Sequence, residues 1–342
     1  MDYVITVMSP CYNSERTLKR CIESVINQSI GFENIELILY DDASTDHTRE
    51  IIDWYSEKYN NIIPIFSNLN RGPGVGKDLG IEKSTGKYVM FIDSDDEYDE
   101  KMCETLLNEI NDNIDIVSCN YKIIDGSYSK NFYYKFKEDY KSKNKSLLQH
   151  DEIIYLPSAI VVNKLFKREI IIKNKIKFTE IRNGEDELFL RKYLLYSNNL
   201  IHLNNYIGYI IHKQEDSISK SQTVEDLFSY LFVCNQIKEI YKNADVDIPK
   251  LLEGRIILFL QSLYLYDILE NYDKNRLYEA LNNLVDLENE ISFNRKLGYI
   301  LNISNFLIKH KQFRLLILYS KILHLIRQSQ SLLKIYSMVQ QE

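Results

Sequence analysis

The sequence predicts an α/β fold, with a mostly parallel sheet and helices on both faces, followed by an all-helical C-terminal region. Three observations predict it. Short β-rich apolar runs alternate with stretches of helical apolar spacing over residues 1–120, the pattern of successive βαβ units. Polar or acidic clusters follow three of those runs, and the carboxyl edge of an open α/β sheet is where ligands bind. Beyond about residue 223, glycine and proline become rare while leucine, isoleucine and tyrosine recur at helical spacing.

The elements follow in order. Val4 to Met8 is an apolar run that stops at Ser9-Pro10. Residues 14–29 carry Leu18, Cys21, Ile22, Val25 and Ile26 on one helical face. Ile35 to Tyr40 reads as a buried strand ending at Asp41-Asp42, and a helix follows from about Thr48 to Tyr59. Ile62 to Phe66 is a third strand and Val75 to Ser84 a third helix. Lys87 to Ile92 is a fourth strand, ending at Asp93-Ser94-Asp95-Asp96. A helix over about 99–111 and a strand from Asp115 to Asn120 complete the pattern. Residues 121–150 are polar and rich in Tyr and Lys, which predicts a hairpin or a mobile loop. Short apolar runs return over 155–220, around Asn183-Gly184-Glu185-Asp186-Glu187-Leu188-Phe189. The expected division is a domain over 1–222, with halves at 1–120 and 121–222, and a helical domain over 223–342.

The bulk numbers narrow the function classes. A chain of 342 residues has room for two domains, and 45% hydrophobic with 27% charged residues is an ordinary globular composition. A net charge of −7 argues against nucleic acid as a partner. Cys11, Cys21, Cys103, Cys119 and Cys234 are odd in number and lack paired short spacings. They fit neither a disulfide framework nor a zinc site, and favour a reducing compartment. The first residues lack a basic segment and a small-residue cleavage site, and no apolar run approaches ~18 residues. A cytoplasmic protein is therefore expected, with the inner face of the cell membrane left open.

The carboxylates carry the chemistry. Asp93-Ser94-Asp95, with Asp96 behind it, presents paired carboxylates from one tight turn at a strand end. Hard cations such as Mn²⁺ or Mg²⁺ prefer such oxygens and accept water and phosphate as co-ligands. The bland alternative is a turn or a helix cap. For Asp41-Asp42-Ala43-Ser44-Thr45-Asp46 a cap explains Ser44 to Asp46 well. It leaves two adjacent aspartates, which repel unless a ligand or a donor offsets them.

Four ordered motifs then carry a resemblance. Val7-Met8-Ser9-Pro10-Cys11-Tyr12-Asn13-Ser14-Glu15, Leu37 through Asp46, Asn70-Arg71-Gly72-Pro73-Gly74 and Gly86 through Asp96 together resemble family 2 inverting glycosyltransferases of cell-surface polysaccharide type. The resemblance is clear to about residue 120 and extends to about 213. It implies a nucleotide-binding GT-A fold and these roles. Pro10, Tyr12 and Asn13, with Glu15, would line the base and ribose pocket. Asp42 would hydrogen-bond the base, usually uracil. Asn70, Gly72, Lys77, Asp93 and Ser94 would complete the donor site. Asp95 would bind the metal, Mn²⁺ or Mg²⁺. Glu185-Asp186 resembles the later acidic pair, in which Asp186 would be the general base and Glu185 would orient the site. The alternative for Asp186 is a first-turn acid stabilised by the helix dipole. His212 would reach the metal or the diphosphate, or is a solvated loop histidine.

Two positions depart from the family pattern. Ile210 stands where an arginine often precedes the histidine, which leaves a diphosphate contact that Lys213 could take. Lys77-Asp78 stands where arginine-asparagine is usual, and lysine keeps the charge without the planar fork. The implied partners are a nucleotide-sugar donor, a UDP-sugar first, and a glycan, polyol-phosphate or lipid-linked acceptor.

From Phe306 to Tyr336 the apolar spacing is helical. Lys309, Lys311, Arg314, Lys321, Arg327 and Lys334 occur there with no acid. The asymmetry suits an interfacial helix on an anionic bilayer; the alternative, and the commoner case, is a helix packed on the tail or joining a homo-oligomer with its basic residues on the wet face. The Tyr-rich residues 225–270 read as core or, alternatively, as a glycan platform. Two other functions are weighed against a transferase. A sugar-phosphate nucleotidyltransferase would want a glycine-rich phosphate loop, and Ser9 to Asn13 has no glycine. A non-catalytic partner subunit would not be expected to keep Asp93, Asp95, Glu185 and Asp186.

Overall fold

The computed structural model describes residues 3–126, 128–132, 146–149, 159–181, 183–213, 223–263, 273–292 and 299–328. The chain divides into two compact units, Met1–Ile181 with Glu185–Glu215, and Arg182–Gly184 with Asp216–Glu342.

The first unit is the α/β fold that the alternating pattern predicts. Strands β1 (Ile5–Cys11), β2 (Ile35–Asp41), β3 (Ile62–Phe66) and β4 (Tyr88–Phe91) form its first half in the order β3-β2-β1-β4, all parallel. β1, β2 and β4 are buried almost throughout, as strands covered on both faces must be. Helices α1 (Leu18–Ile26), α2 (Thr48–Lys58) and α3 (Pro73–Lys83) make the crossovers. Leu18, Cys21, Ile22 and Val25 are the buried face of α1, four of the five residues whose spacing marks it in the sequence. α3 packs closely because of Gly76, where an added Cβ would meet the Tyr40 ring at 2.4 Å.

The second half of the sheet departs from simple βαβ repetition. After β5 (Glu97–Tyr98) and α4 (Met102–Leu107) come β6 (Ile116–Asp125), β7 (Tyr128–Phe132), β8 (Ser146–Gln149), β9 (Lys164–Lys167), α5 (Arg168–Lys173), α6 (Glu185–Leu194) and β10 (Asn199–His212). β9 inserts antiparallel between β4 and β6, continuing the order β4-β9-β6-β10-β5, with β7 on β6 and β8 on β10. β10 runs parallel to β6, and its register shifts between Leu203 and Ile207 and again before Tyr209. β6 and β7 make the hairpin side of the hairpin-or-loop alternative, while residues 133–145 lie outside the described residues.

The second unit contains α7 (Val224–Tyr241), α8 (Ile248–Ser262), α9 (Lys274–Glu290), α10 (Tyr299–Lys309) and α11 (Phe313–Gln328). Thr223 and Asp226 form a reciprocal capping box at the start of α7. Asp273 caps α9 by accepting from the Asn275 and Arg276 N–H groups at 2.8 and 3.2 Å. Leu227, Cys234, Leu252, Phe259, Leu281 and Leu316 are among its buried side chains. Among the described residues no helix is long and apolar enough to cross a membrane. Residues 264–272 of the Tyr-rich stretch, the segment after Lys213 to residue 222, and the tail from 329, including Lys334, lie outside the described residues.

Candidate active site

Three loops meet at the carboxyl edge of the parallel half, after β1, β2 and β4. They are laced by short polar side chains. Asn13, at φ +48°, accepts from the Thr45 N–H at 2.9 Å, and its own N–H donates to Ser44 Oγ at 3.0 Å. The Ser14 N–H donates to Thr48 Oγ1 at 2.7 Å, and Ser14 Oγ lies 2.7 Å from Ser94 Oγ. Glu15 accepts from the His47 N–H at 3.1 Å while its N–H donates to Asp46. Pro10 sits opposite Tyr40 in the β1–β2 register, and the Tyr12 ring is exposed beside it. A rigid edge with an exposed aromatic face results.

The adjacent aspartates are each answered inside the protein. Asp41 is fully buried and holds Arg49 through Nε at 3.1 Å and Nη2 at 2.8 Å. Asp42 accepts from the Arg71 N–H at 2.8 Å, the Gly72 N–H at 2.7 Å and the Tyr40 hydroxyl at 3.1 Å. Gly72, at φ +86°, turns the chain so that these amides face Asp42. Asp42 thereby ties the Asn70–Gly72 segment to β2, with Asn70 itself exposed.

Beyond that edge, charge from three distant segments converges. Lys77 on α3 is only 3% exposed, and its Nζ donates to Asp186 Oδ1 on α6 at 2.6 Å. The ammonium also lies 5.2 Å from the centre of the Phe178 ring. The other Asp186 oxygen accepts from the Val161 N–H at 3.4 Å. Burial and the surrounding carboxylates raise Asp93, with Lys77 opposing the rise. Glu185 is raised by burial first and by Asp186 next, again against Lys77. Asp93, Glu185 and Asp186 therefore share one electrostatic neighbourhood around the buried Lys77.

Asp96 holds the fold rather than the centre of this cluster. It accepts from the Tyr209 hydroxyl at 2.8 Å and from the His212 N–H at 2.9 Å, and so pins β10 to the acidic loop. Tyr209 in turn accepts from the Asp93 N–H at 3.2 Å. The His212 imidazole is hydrogen-bonded through Nε2 to Glu97, and Arg20 donates to the Asp95 carbonyl oxygen. Burial raises the Asp95 carboxyl, and Arg20 and His212 pull it back, so the imidazole and Asp95 share one field. The Lys213 ammonium pairs with Asp125 at 3.2 Å.

The chemistry of the donor set bears on a metal. Among the described residues no group of three His, Cys, Asp or Glu side chains is arranged to hold an ion. The Asp95 carboxylate is a hard oxygen of the kind a hard cation takes alongside diphosphate and water, whereas the His212 Nε2 is engaged by Glu97.

Several residues that matter here are invisible to motif reading. Glu97, Tyr209, Tyr40 and the Val161 N–H act only because the sheet carries them to this edge. The hydrophobic strand–acid junction gave a signal for Asp96. Nothing local marks Val161.

A family model for glycosyl transferase family 2 matches residues 6–174. The chain is 28% identical over 230 residues to glycosyltransferase GlyG of Streptococcus pneumoniae, covering 65% of this chain and 75% of that protein. It is 32% identical over 248 residues to the poly(ribitol-phosphate) beta-N-acetylglucosaminyltransferase TarP of Staphylococcus aureus, covering 70% of this chain and 71% of that protein. The crystal structure of S. aureus TarS 1–349 in complex with UDP-GlcNAc matches with a TM-score of 0.67 at 20% identity. It covers 93% of this chain and 90% of that one.

Proposed function

This chain belongs to glycosyl transferase family 2 and is a glycosyltransferase with a GT-A fold, and from that premise we propose that it transfers a sugar from UDP to an acceptor hydroxyl with inversion. The observation that carries this reading is the convergence of Lys77, Asp93 and Asp186 from three segments at the carboxyl edge of the sheet. TarP, a poly(ribitol-phosphate) beta-N-acetylglucosaminyltransferase, supports a polyol-phosphate or related cell-surface glycan as acceptor, and the TarS complex supports UDP-GlcNAc as a donor to test first.

The roles proposed are those that the family resemblance implies for these positions. Pro10, Tyr12, Asn13, Glu15 and Asp42 take the nucleoside, and Asn70, Gly72, Lys77, Asp93 and Ser94 take the ribose and diphosphate. As the acceptor oxygen bonds to the sugar C1, its proton passes to Asp186 Oδ2 or Oδ1, and the C1–O bond to the diphosphate breaks with its electron pair leaving on UDP. In the structure Asp186 Oδ1 holds the Lys77 ammonium at 2.6 Å, while Oδ2 faces the Val161 N–H at 3.4 Å. A donor diphosphate would offer Lys77 a second anion beside Asp186. Glu185, raised by burial, supplies a hydrogen-bonding partner for the acceptor or for Asp186. Asp95 and His212 would hold Mn²⁺ or Mg²⁺, which neutralises charge on the departing diphosphate when bound.

The test is a panel of nucleotide-sugars assayed for binding and slow hydrolysis, with and without Mn²⁺. We expect a UDP-sugar to bind with metal, Asp95→Ala to abolish the metal effect, and Asp186→Asn to keep donor affinity while acceptor transfer falls by roughly 10²–10⁴. Binding of no nucleotide-sugar under any metal condition, or full transfer by Asp186→Asn, overturns the reading.

A further inference from the structure

We propose that the outward side of α11 is a membrane-docking surface that takes anionic phospholipid headgroups, with its aliphatic side chains entering the acyl boundary beneath them. The helix has two apolar sides. Phe313, Leu316 and Leu323 are buried and account for its packing in the helical unit. Leu315, Leu318 and Ile322 are 52%, 56% and 47% exposed. At about 100° per residue these three fall within an arc of roughly 60°, on the side opposite the buried residues. Arg314 and Lys321, both exposed, flank that arc on one edge. Lys311 is exposed in the connection to α10, whose Phe306 is 60% exposed.

Single exposed leucines need no explanation, but three in one helical stripe beside two cations do. The charge decides which partner fits. Between Phe306 and Tyr336 the sequence holds six Lys or Arg and no acid, in a chain of net charge −7. Two copies of this face would bring Arg314 and Lys321 against their own equivalents, with no carboxylate in the segment to offset them. An anionic bilayer complements both features, since it accepts aliphatic side chains to shallow depth and attracts each basic residue. The surface is independent of the catalytic reading.

The experiment is co-sedimentation of the full chain with phosphatidylcholine vesicles, with and without phosphatidylserine, at low and high salt. Wild type is expected to bind only the phosphatidylserine vesicles and to release in salt. The double variant Arg314→Ala with Lys321→Ala is expected to bind about 30-fold more weakly. Leu318→Asp is expected to abolish binding while keeping the helical circular dichroism and the nucleotide affinity of wild type. Equal binding to both vesicle types, no binding to either, or wild-type binding by both variants overturns the proposal. So does a wild-type oligomer that Leu318→Asp converts to monomer, which would make the face a contact between copies of the chain.

Discussion

At Asp41 and Asp42 two like charges stand side by side, and the sequence leaves open whether a ligand or the protein offsets them. Arg49 neutralises the first, and two amides with the Tyr40 hydroxyl hold the second. Their adjacency is thus accounted for without a ligand, and the nucleoside role of Asp42 rests on its place at the strand end. Asp78 is informative in a different way. It accepts from the Phe178 N–H at 2.9 Å, yet burial, its largest influence, pushes its carboxyl up to about 6. The folded state therefore binds this proton more tightly than the unfolded chain does, so the charge costs stability as pH rises from the unfolded value towards 6 and beyond. Asp78→Asn keeps the acceptor for Phe178 and removes the charge. Chemical denaturation is expected to show it roughly 1–3 kcal/mol more stable than wild type near pH 8, after allowance for partial exposure, and unchanged near pH 3. A variant less stable than wild type near pH 8 would mean that the carboxylate makes an interaction beyond the Phe178 contact.

Among elements, β10 shows how a distant strand shapes the acidic loop. Its Tyr209 hydroxyl is buried between the Asp93 N–H and Asp96 Oδ2, and the next residues bring the His212 N–H to Asp96 and the His212 ring to Glu97. Tyr209→Phe keeps the ring but leaves both partners without that hydroxyl. Unfolding in denaturant is expected to show a loss of about 1–3 kcal/mol, and steady-state kinetics a fall in kcat/KM on the order of tenfold. A variant that loses stability but keeps kcat/KM would separate the strand's packing from the geometry of Asp93. The close approach of α3 works at the same scale, since Gly76 lets the helix lie on Tyr40 and sets Lys77 where it can reach α6.

For the whole molecule, the cysteines give a readout of cooperativity. All five are buried and none is bonded to another. Burial pushes the Cys11 and Cys119 thiols up to about 12 and raises Cys103 and Cys21 as well. Since the thiolate is the reactive form, the native chain is expected to resist alkylation, and labelling should appear only with unfolding of the unit that holds each thiol. Mass spectrometry of pulse-labelled protein along a denaturant series checks this. Rapid native labelling of Cys11 or Cys119 would show local opening of the sheet.

Local pattern was enough for the α/β class, the first four strands and their crossovers, because period and turn chemistry act over a few residues. It also located the acidic clusters at strand ends and the helical character of the C-terminal region. The pairing of β9 with β4 and β6, the bulged register of β10, the Lys77–Asp186 contact across 109 positions and the Val161 N–H on Asp186 were decided only by tertiary structure. Each joins residues whose local sequence is satisfied equally well by other partners. What selects among those partners is the burial of both faces of one sheet, a condition that no short segment can express by itself.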